Sequence, residues 1–286
     1  MHPPNQSAEK DFVMNQAARR FTKLVLTVSA VSMLSASAYA HRTWLLPSAT
    51  VLSGKEQWVT VDAAVSNDLF YFEHNPLQLD NLSVVAPDGS SVTPENMAKG
   101  KYRNTFDVKI GQPGTYRIMV LNQGVFANYK LDGQNKRWRG KPEQIKTDIP
   151  ANATDVKVSE VQGRIETFVT SGKPSDDVLK PIGVGLEMVP VTHPNNLIAG
   201  EKATFRLLLD GQPAVGQSVE IVPGGIRYRD KLNDVKATTD ESGTFSVTWP
   251  APGMYWMNSS VQDNKSKIEN ATRRAGYTTT IEVLAP

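Results

Sequence analysis

Phe106-Asp-Val108-Lys-Ile110-Gly-Gln-Pro113-Gly114-Thr-Tyr116 and Phe245-Ser-Val247-Thr-Trp249-Pro-Ala-Pro252-Gly253-Met-Tyr255 are one eleven-residue pattern written twice. In each copy apolar residues alternate with polar ones, which is the period of a half-buried strand, and Pro-Gly then supplies a turn. After the first copy Tyr116, Ile118 and Val120 keep the same parity, so a second strand follows with those three inward. Read locally, each copy predicts a hairpin.

Working outward, each copy has a matching prelude. Ser53-Gly54-Lys55-Glu56 leads into the alternating run 58–65, and Ala199-Gly200-Glu201-Lys202 leads into 203–209. Short strands and turns at this spacing predict an all-β chain of two immunoglobulin-like β-sandwich domains, residues 41–123 and 189–286. Residues 124–188 read as a connecting segment. It holds the basic run Lys136-Arg137-Trp138-Arg139-Gly-Lys141 and weakly alternating residues 156–169, which suit a strand in either sandwich. A basic run with one tryptophan fits either an anionic ligand or a solvated loop whose Trp138 packs on a sandwich edge. No stretch sustains a helical period.

Residues 1–40 read as a signal peptide. Arg19, Arg20 and Lys23 precede the apolar run 24–34, and Ala38-Tyr39-Ala40 is a small-x-small cleavage signature. Met14 is an alternative start to Met1. The apolar run is shorter than the ~20 residues of a membrane span, so the expectation is a cleaved leader, a periplasmic chain beginning at His41 and no membrane insertion afterwards. Of the 31 Lys and Arg four precede His41, and of the 29 Asp and Glu two do, so both signs count 27 after it. That balance gives no electrostatic case for nucleic acid. With no cysteine, disulfides, thiolate metal sites, a lipoprotein anchor and a cysteine nucleophile are all excluded.

Only His41, His74 and His193 remain as histidines after the cut. A chain starting at His41 offers an imidazole and a free α-amine from one residue, and a second histidine would complete a three-nitrogen histidine brace. Copper(II) and nickel(II) favour such nitrogen sets. His74 lies in Asp68-Leu-Phe70-Tyr-Phe72-Glu73-His74-Asn-Pro76, an aromatic stretch suited to a partly dry ligand site or to a plug under a loop. His193, before Pro194, reads as a ligand or as a turn residue. Asp62 and Glu187 are the candidate carboxylates. No nucleophile elbow, phosphate loop or zincin helix is present, so no catalytic residue is assigned and the expectation is a protein that is not an enzyme.

Two resemblances extend this. Gly211-Gln-Pro213-Ala-Val215-Gly216, followed by Thr239-Asp240-Glu-Ser-Gly243-Thr-Phe245, resembles the carboxypeptidase-regulatory and transthyretin-like sandwich, which speaks to fold and not to function. Ala40-His41-Arg42-Thr43-Trp44-Leu45-Leu46-Pro47, with Gly183-Val-Gly185-Leu186-Glu187-Met188-Val189-Pro190, resembles domain-of-unknown-function family 4198. That family is described as a periplasmic component of cobalt or nickel uptake. The resemblance implies His41 as the family's first histidine and Glu187 as the acid of its junction element. Many members carry Gly-His where this chain has residues 61–65, so His74 is the candidate substitute. The expectation is a metal-binding accessory protein for nickel, cobalt or copper, serving a metal-uptake transporter or a membrane redox protein. Its competitors are a structural or adhesive sandwich and a copper oxygenase with a histidine brace.

Overall fold

The computed structural model describes residues 41–286 apart from Lys55. The leader, its cleavage signature and the choice between Met1 and Met14 lie outside the described residues. In chain order the strands are β1 (Arg42–Pro47), β2 (Val51–Leu52), β3 (Gln57–Ser66), β4 (Asn75–Pro76), β5 (Leu82–Val85), β6 (Glu95–Lys99), β7 (Arg103–Ile110), β8 (Gly114–Leu131) and β9 (Gln134–Gly140). There follow β10 (Thr154–Ser171), β11 (Leu186–Pro190), β12 (Lys202–Leu209), β13 (Gln212–Pro213), β14 (Ser218–Pro223), β15 (Val235–Thr238), β16 (Thr244–Thr248), β17 (Gly253–Asp263) and β18 (Ala271–Val283). Among the described residues, helix is limited to one turn at Ile145–Asp148 and three short 3-10 segments.

The strands form three sheets. The first has the order β1-β3-β7-β6 with β4 on β3. The central one has the order β15-β14-β17-β18-β10-β8-β5, with β2 on β10 and β9 on β8. The third has the order β11-β12-β13 with β16 on β12. Strand parity tells which face of the central sheet each neighbour covers. Ile118 and Val120 of β8 and Ile165 of β10 pack with Leu45, Val61, Phe106 and Val108 of the first sheet. Ile165 stands beside Thr278 in the parallel β10–β18 ladder, so Tyr277 faces the other way. On that side Tyr277, Ile281, Tyr255 and Met257 pack with Leu186, Phe205 and Phe245 of the third sheet. The chain is therefore two β-sandwiches built back to back on one shared central sheet.

This arrangement changes the reading of the duplicated motif. β7 has both edges taken, by β3 and β6, and β16 sits in the third sheet on β12. Neither pairs with the strand that follows it, since β8 and β17 both belong to the central sheet. Each copy is an arch that crosses from an outer sheet to the central one, not a hairpin. Residue alternation reports which face is buried, but not which strand is the neighbour, so both geometries satisfy it. The expected burial holds: Phe106, Val108, Tyr116, Phe245, Val247 and Tyr255 are all buried. At each turn the tyrosine hydroxyl donates to the carbonyl four residues back, Tyr116 to Gln112 at 3.2 Å and Tyr255 to Ala251 at 2.7 Å. Gly114 and Gly253, at φ 126° and 138°, supply backbone that other residues rarely adopt.

Residues 124–188 are not peripheral to this design. β8 runs on to Leu131, turns through Asp132-Gly133 with both φ positive at 51° and 74°, and returns as β9. That is the two-residue turn favoured between twisted antiparallel strands. β10 then lies between β8 of the first sandwich and β18 of the second.

Candidate metal centre

β1 and β4 flank the end of β3 on opposite edges, with Arg42 opposite Ser66 and Asn75 opposite Val65. His41 immediately precedes β1 and His74 immediately precedes β4, so the end of β3 gathers them. Their imidazole rings stack with centroids 3.8 Å apart and planes 11° from parallel. His41 is exposed and His74 half-buried. Residues 33 positions apart in the chain thus present two ring systems at one opening.

The loop carrying His74 is held firmly. One oxygen of Glu73 accepts the backbone N–H groups of Asn67 and Asp68 at 2.9 and 2.8 Å. Trp44 is fully buried beneath the loop, with Phe70 edge-on at 5.5 Å and Phe72 at 5.6 Å. Its indole N–H donates to Ser66 Oγ at 2.9 Å, and Ser66 in turn donates to the Asp68 carbonyl. Phe70 adopts φ 66°, a left-handed conformation rare for an aromatic residue, and its ring lies close over Gly224. A Cβ at Gly224 would sit 3.1 Å from that ring and from the Met254 carbonyl, which explains the glycine there. Trp256 of β17 donates its indole N–H to the Thr43 carbonyl at 2.9 Å. Arg42 stacks over the Trp256 ring and reaches Glu220 at 3.4 Å. The N-terminal strand is thereby pinned to the second sandwich right beside His41.

The other candidate ligands lie in different surroundings. Asp62, half-buried on β3, pairs with Arg103 at 3.3 Å; burial raises its pKa and Arg103 opposes that rise. Glu187 is buried on β11, bound to Arg164 at 3.1 Å, and it accepts the N–H groups of Ile182 and Gly183 at 2.8 and 2.7 Å. Its carboxylate pins the Pro181–Gly185 loop onto β10. His193 has both ring nitrogens engaged. Nδ1 accepts the Asn195 N–H at 3.1 Å, which leaves Nε2 to donate to Thr115 Oγ1 at 3.0 Å. Burial lowers its pKa, against the raising pull of the Ser175 backbone and Asp176. Among the described residues no three His, Asp or Glu side chains converge as a metal cluster.

A metal at this opening would therefore rest on His41 and His74, with a third nitrogen from the α-amine if the chain starts at His41. The residues fit a transition metal in one definite respect. Neither imidazole is hydrogen-bonded to another described residue, unlike that of His193, although the stacked rings hold their nitrogen lone pairs in parallel planes, so one ring must turn for both to share a metal. An all-nitrogen set suits copper(II) and nickel(II) better than hard, oxygen-loving ions.

Sequence reasoning named His74 as the candidate second histidine beside His41 but missed Trp44, Trp256 and Arg42, which hold them together. The signal was present in Trp44 at the strand start, but its partner Trp256 lies 212 residues away.

None of the curated proteins matches the chain. Among solved structures it is similar to the D0-D1 domain of intimin, at 12% identity over 86% of this chain and 100% of that one, with TM-score 0.21. It is also similar to a marsupial T cell receptor, at 10% identity over 86% and 74%, again at 0.21. Superpositions this loose leave the sandwich assignment resting on the sheets themselves. The family model described as a domain of unknown function, DUF4198, matches residues 38–263, and the chain belongs to that family.

Proposed function

We propose that this protein is a periplasmic metal-binding accessory that takes up copper(II), nickel(II) or cobalt(II) at its N-terminus and passes it to a membrane transporter or redox partner. The reading rests on one observation, the meeting of His41 and His74, with ring centroids 3.8 Å apart, at the start of the described fold. When bound, the metal would supply a charge and an exchangeable coordination position. Everything else is the work of the chain. Trp44 and the Glu73 clasp hold His74 in place, and the β1–Trp256 hydrogen bond holds His41. An exposed His41 leaves the opening accessible to a partner, as handover requires. Nitrogen chemistry favours copper and nickel over cobalt within the set.

The test is calorimetric titration of copper, nickel and cobalt into a chain beginning at His41 and into one carrying a single extra N-terminal residue. Extension keeps every side chain and removes only the α-amine from the chelate, so affinity should fall at least tenfold. His74→Ala should do the same, while His193→Ala should leave binding unchanged. Affinity should also fall in acid, because protons compete for imidazole and amine nitrogen. Equal affinities for the cleaved and extended forms would remove the metal from this site. Intact-mass measurement of exported protein should give a start at His41, and any other start overturns the α-amine's part.

A further inference from the structure

The central sheet extends beyond the cover of the first sheet. A crevice of about 220 Å3 lined by Thr43, Pro76, Asn122 and Arg139 marks that rim. Past it, β8, β10, β17 and β18 continue with one face open, and a cleft of about 550 Å3 lies across them. Its size is that of a small-molecule site.

Register explains its shape. Gly163 of β10 stands beside Gly276 of β18, and a Cβ added at Gly276 would meet nothing within 4 Å. At this pair the floor is bare backbone. Phe126 brings an aromatic ring to the lining, with Asn128, Ser159 and Ser260 as amide and hydroxyl groups, whereas Trp138 stands opposite Ala127 and turns its indole to the other face, where its N–H donates to Asp148 at 3.1 Å.

Register also sorts the charges. Arg137 stands opposite Asn128, and Arg274 stands beside Val161, both on the open face and both exposed. Arg139 lies over the Phe126 ring at 5.2 Å. None of the lining residues is acidic. The carboxylates of these strands nearest the cleft alternate to the opposite face and are occupied there, Asp263 by Arg273 at 2.6 Å and Glu160 by Ser266 at 2.7 Å, while Glu282, on the cleft's own face, lies at the far end of β18 and accepts from Thr50. Asp155, further along β10, is ion-paired with Lys130. Arg137 of the basic run at 136–141 is therefore part of the cleft wall, with Arg139 beside it over Phe126.

We propose that this cleft binds an acidic saccharide, with a sugar ring against Phe126 and carboxylates on Arg137 and Arg274. Planar guanidinium groups bind carboxylates in two-point fashion, which gives orientation as well as attraction. Amide and hydroxyl groups between the arginines match sugar hydroxyls, and the glycine floor admits a ring close to the backbone. An acidic peptide would use the arginines but would leave the Phe126 ring and the glycine pair of the floor without a purpose.

Calorimetric titration of tetragalacturonate, cellotetraose and hexaglutamate into the protein starting at His41 tests this. Tetragalacturonate should bind, more weakly as salt rises, and Arg137→Ala, Arg274→Ala and Phe126→Ala should each weaken it at least tenfold. Cellotetraose and hexaglutamate should bind at least tenfold more weakly than tetragalacturonate. His74→Ala should change nothing here, so the cleft stands or falls apart from the metal centre. Absent tetragalacturonate binding, unchanged affinity in the arginine variants, or equal binding of either control ligand would overturn the assignment.

Discussion

The two copies of the arch differ in what surrounds the same latch. In the first, Tyr116 is locked twice, its hydroxyl donating to the Gln112 carbonyl and accepting the Gln112 N–H at 2.9 Å. Its companions are aliphatic, Ile110 and Val108 among them. In the second, Tyr255 makes the single bond to Ala251, and Trp249 stands where Ile110 stood, 5.1 Å from the Tyr255 ring and 6.4 Å from Phe205. The comparison separates two jobs. The tyrosine bond to the carbonyl four residues back fixes the crossing, and the core filler beside it is free to vary in shape.

The same pattern also approaches the central sheet from opposite faces. The first arch descends from the first sheet and the second from the third sheet, so a repeated motif yields two sandwiches with three sheets instead of four. What the copies do not share is their outward growth. Only the first carries the N-terminal strand that delivers His41, and only β8 lengthens into the hairpin with β9 that walls the cleft.

The equivalence of the arches can be broken most sharply at their phenylalanines. Phe106→Ala and Phe245→Ala should each cost about 3–5 kcal/mol in denaturant unfolding, as expected for a packed aromatic core residue. A loss below ~1 kcal/mol at one site alone would mean that the copies are not structurally equivalent. The latches give a smaller and asymmetric effect. Tyr255→Phe removes one hydrogen bond and should cost about 1 kcal/mol, whereas Tyr116→Phe also strands the Gln112 N–H and should cost more. Equal losses would mean that the second bond of Tyr116 contributes nothing.

The smallest effect lies where the first sandwich meets the chain entering the second. Burial holds His193 below the ordinary 6.5, so the folded chain prefers the neutral ring. Stability from this group is complete above that value and is lost as pH falls through it, because the unfolded chain takes up the proton first. Unfolding midpoints at pH 7.5 and 5.5 should differ less in His193→Gln than in the parent, and an unchanged difference would assign the pH response to other groups.

Much of this fold is legible in the sequence. The burial of Phe106, Tyr116, Phe245 and Tyr255, the scarcity of helix and the strand preludes at 58–65 and 203–209 all follow from alternation and turn residues. The sharing of the central sheet does not follow, because it depends on the pairing of β10 with β18, and no local signal encodes a partner more than a hundred residues away. The candidate site divides the same way. His41 and His74 are conspicuous because histidine is rare here, but their meeting depends on two strands flanking the end of β3. Glu187 looked like a ligand because it belongs to a short motif. Its burial against Arg164 and two backbone amides gives that motif an architectural purpose.

The parallel ladder between β10 and β18 has a consequence for how the chain is made. As the polypeptide emerges from its N-terminus, β10 can zip onto β8 at once, but its other edge is held by β2 only at Thr170 and Ser171, and from Val158 to Thr167 it waits for β18. Until β18 arrives, the first sandwich presents a long strand with open amides and carbonyls, the kind of edge that recruits other chains. Closure of so distant a contact is intrinsically slow. Completion of the central sheet thus depends on β18, and a chain cut short before Ala271 should collect as aggregates and not as a usable half.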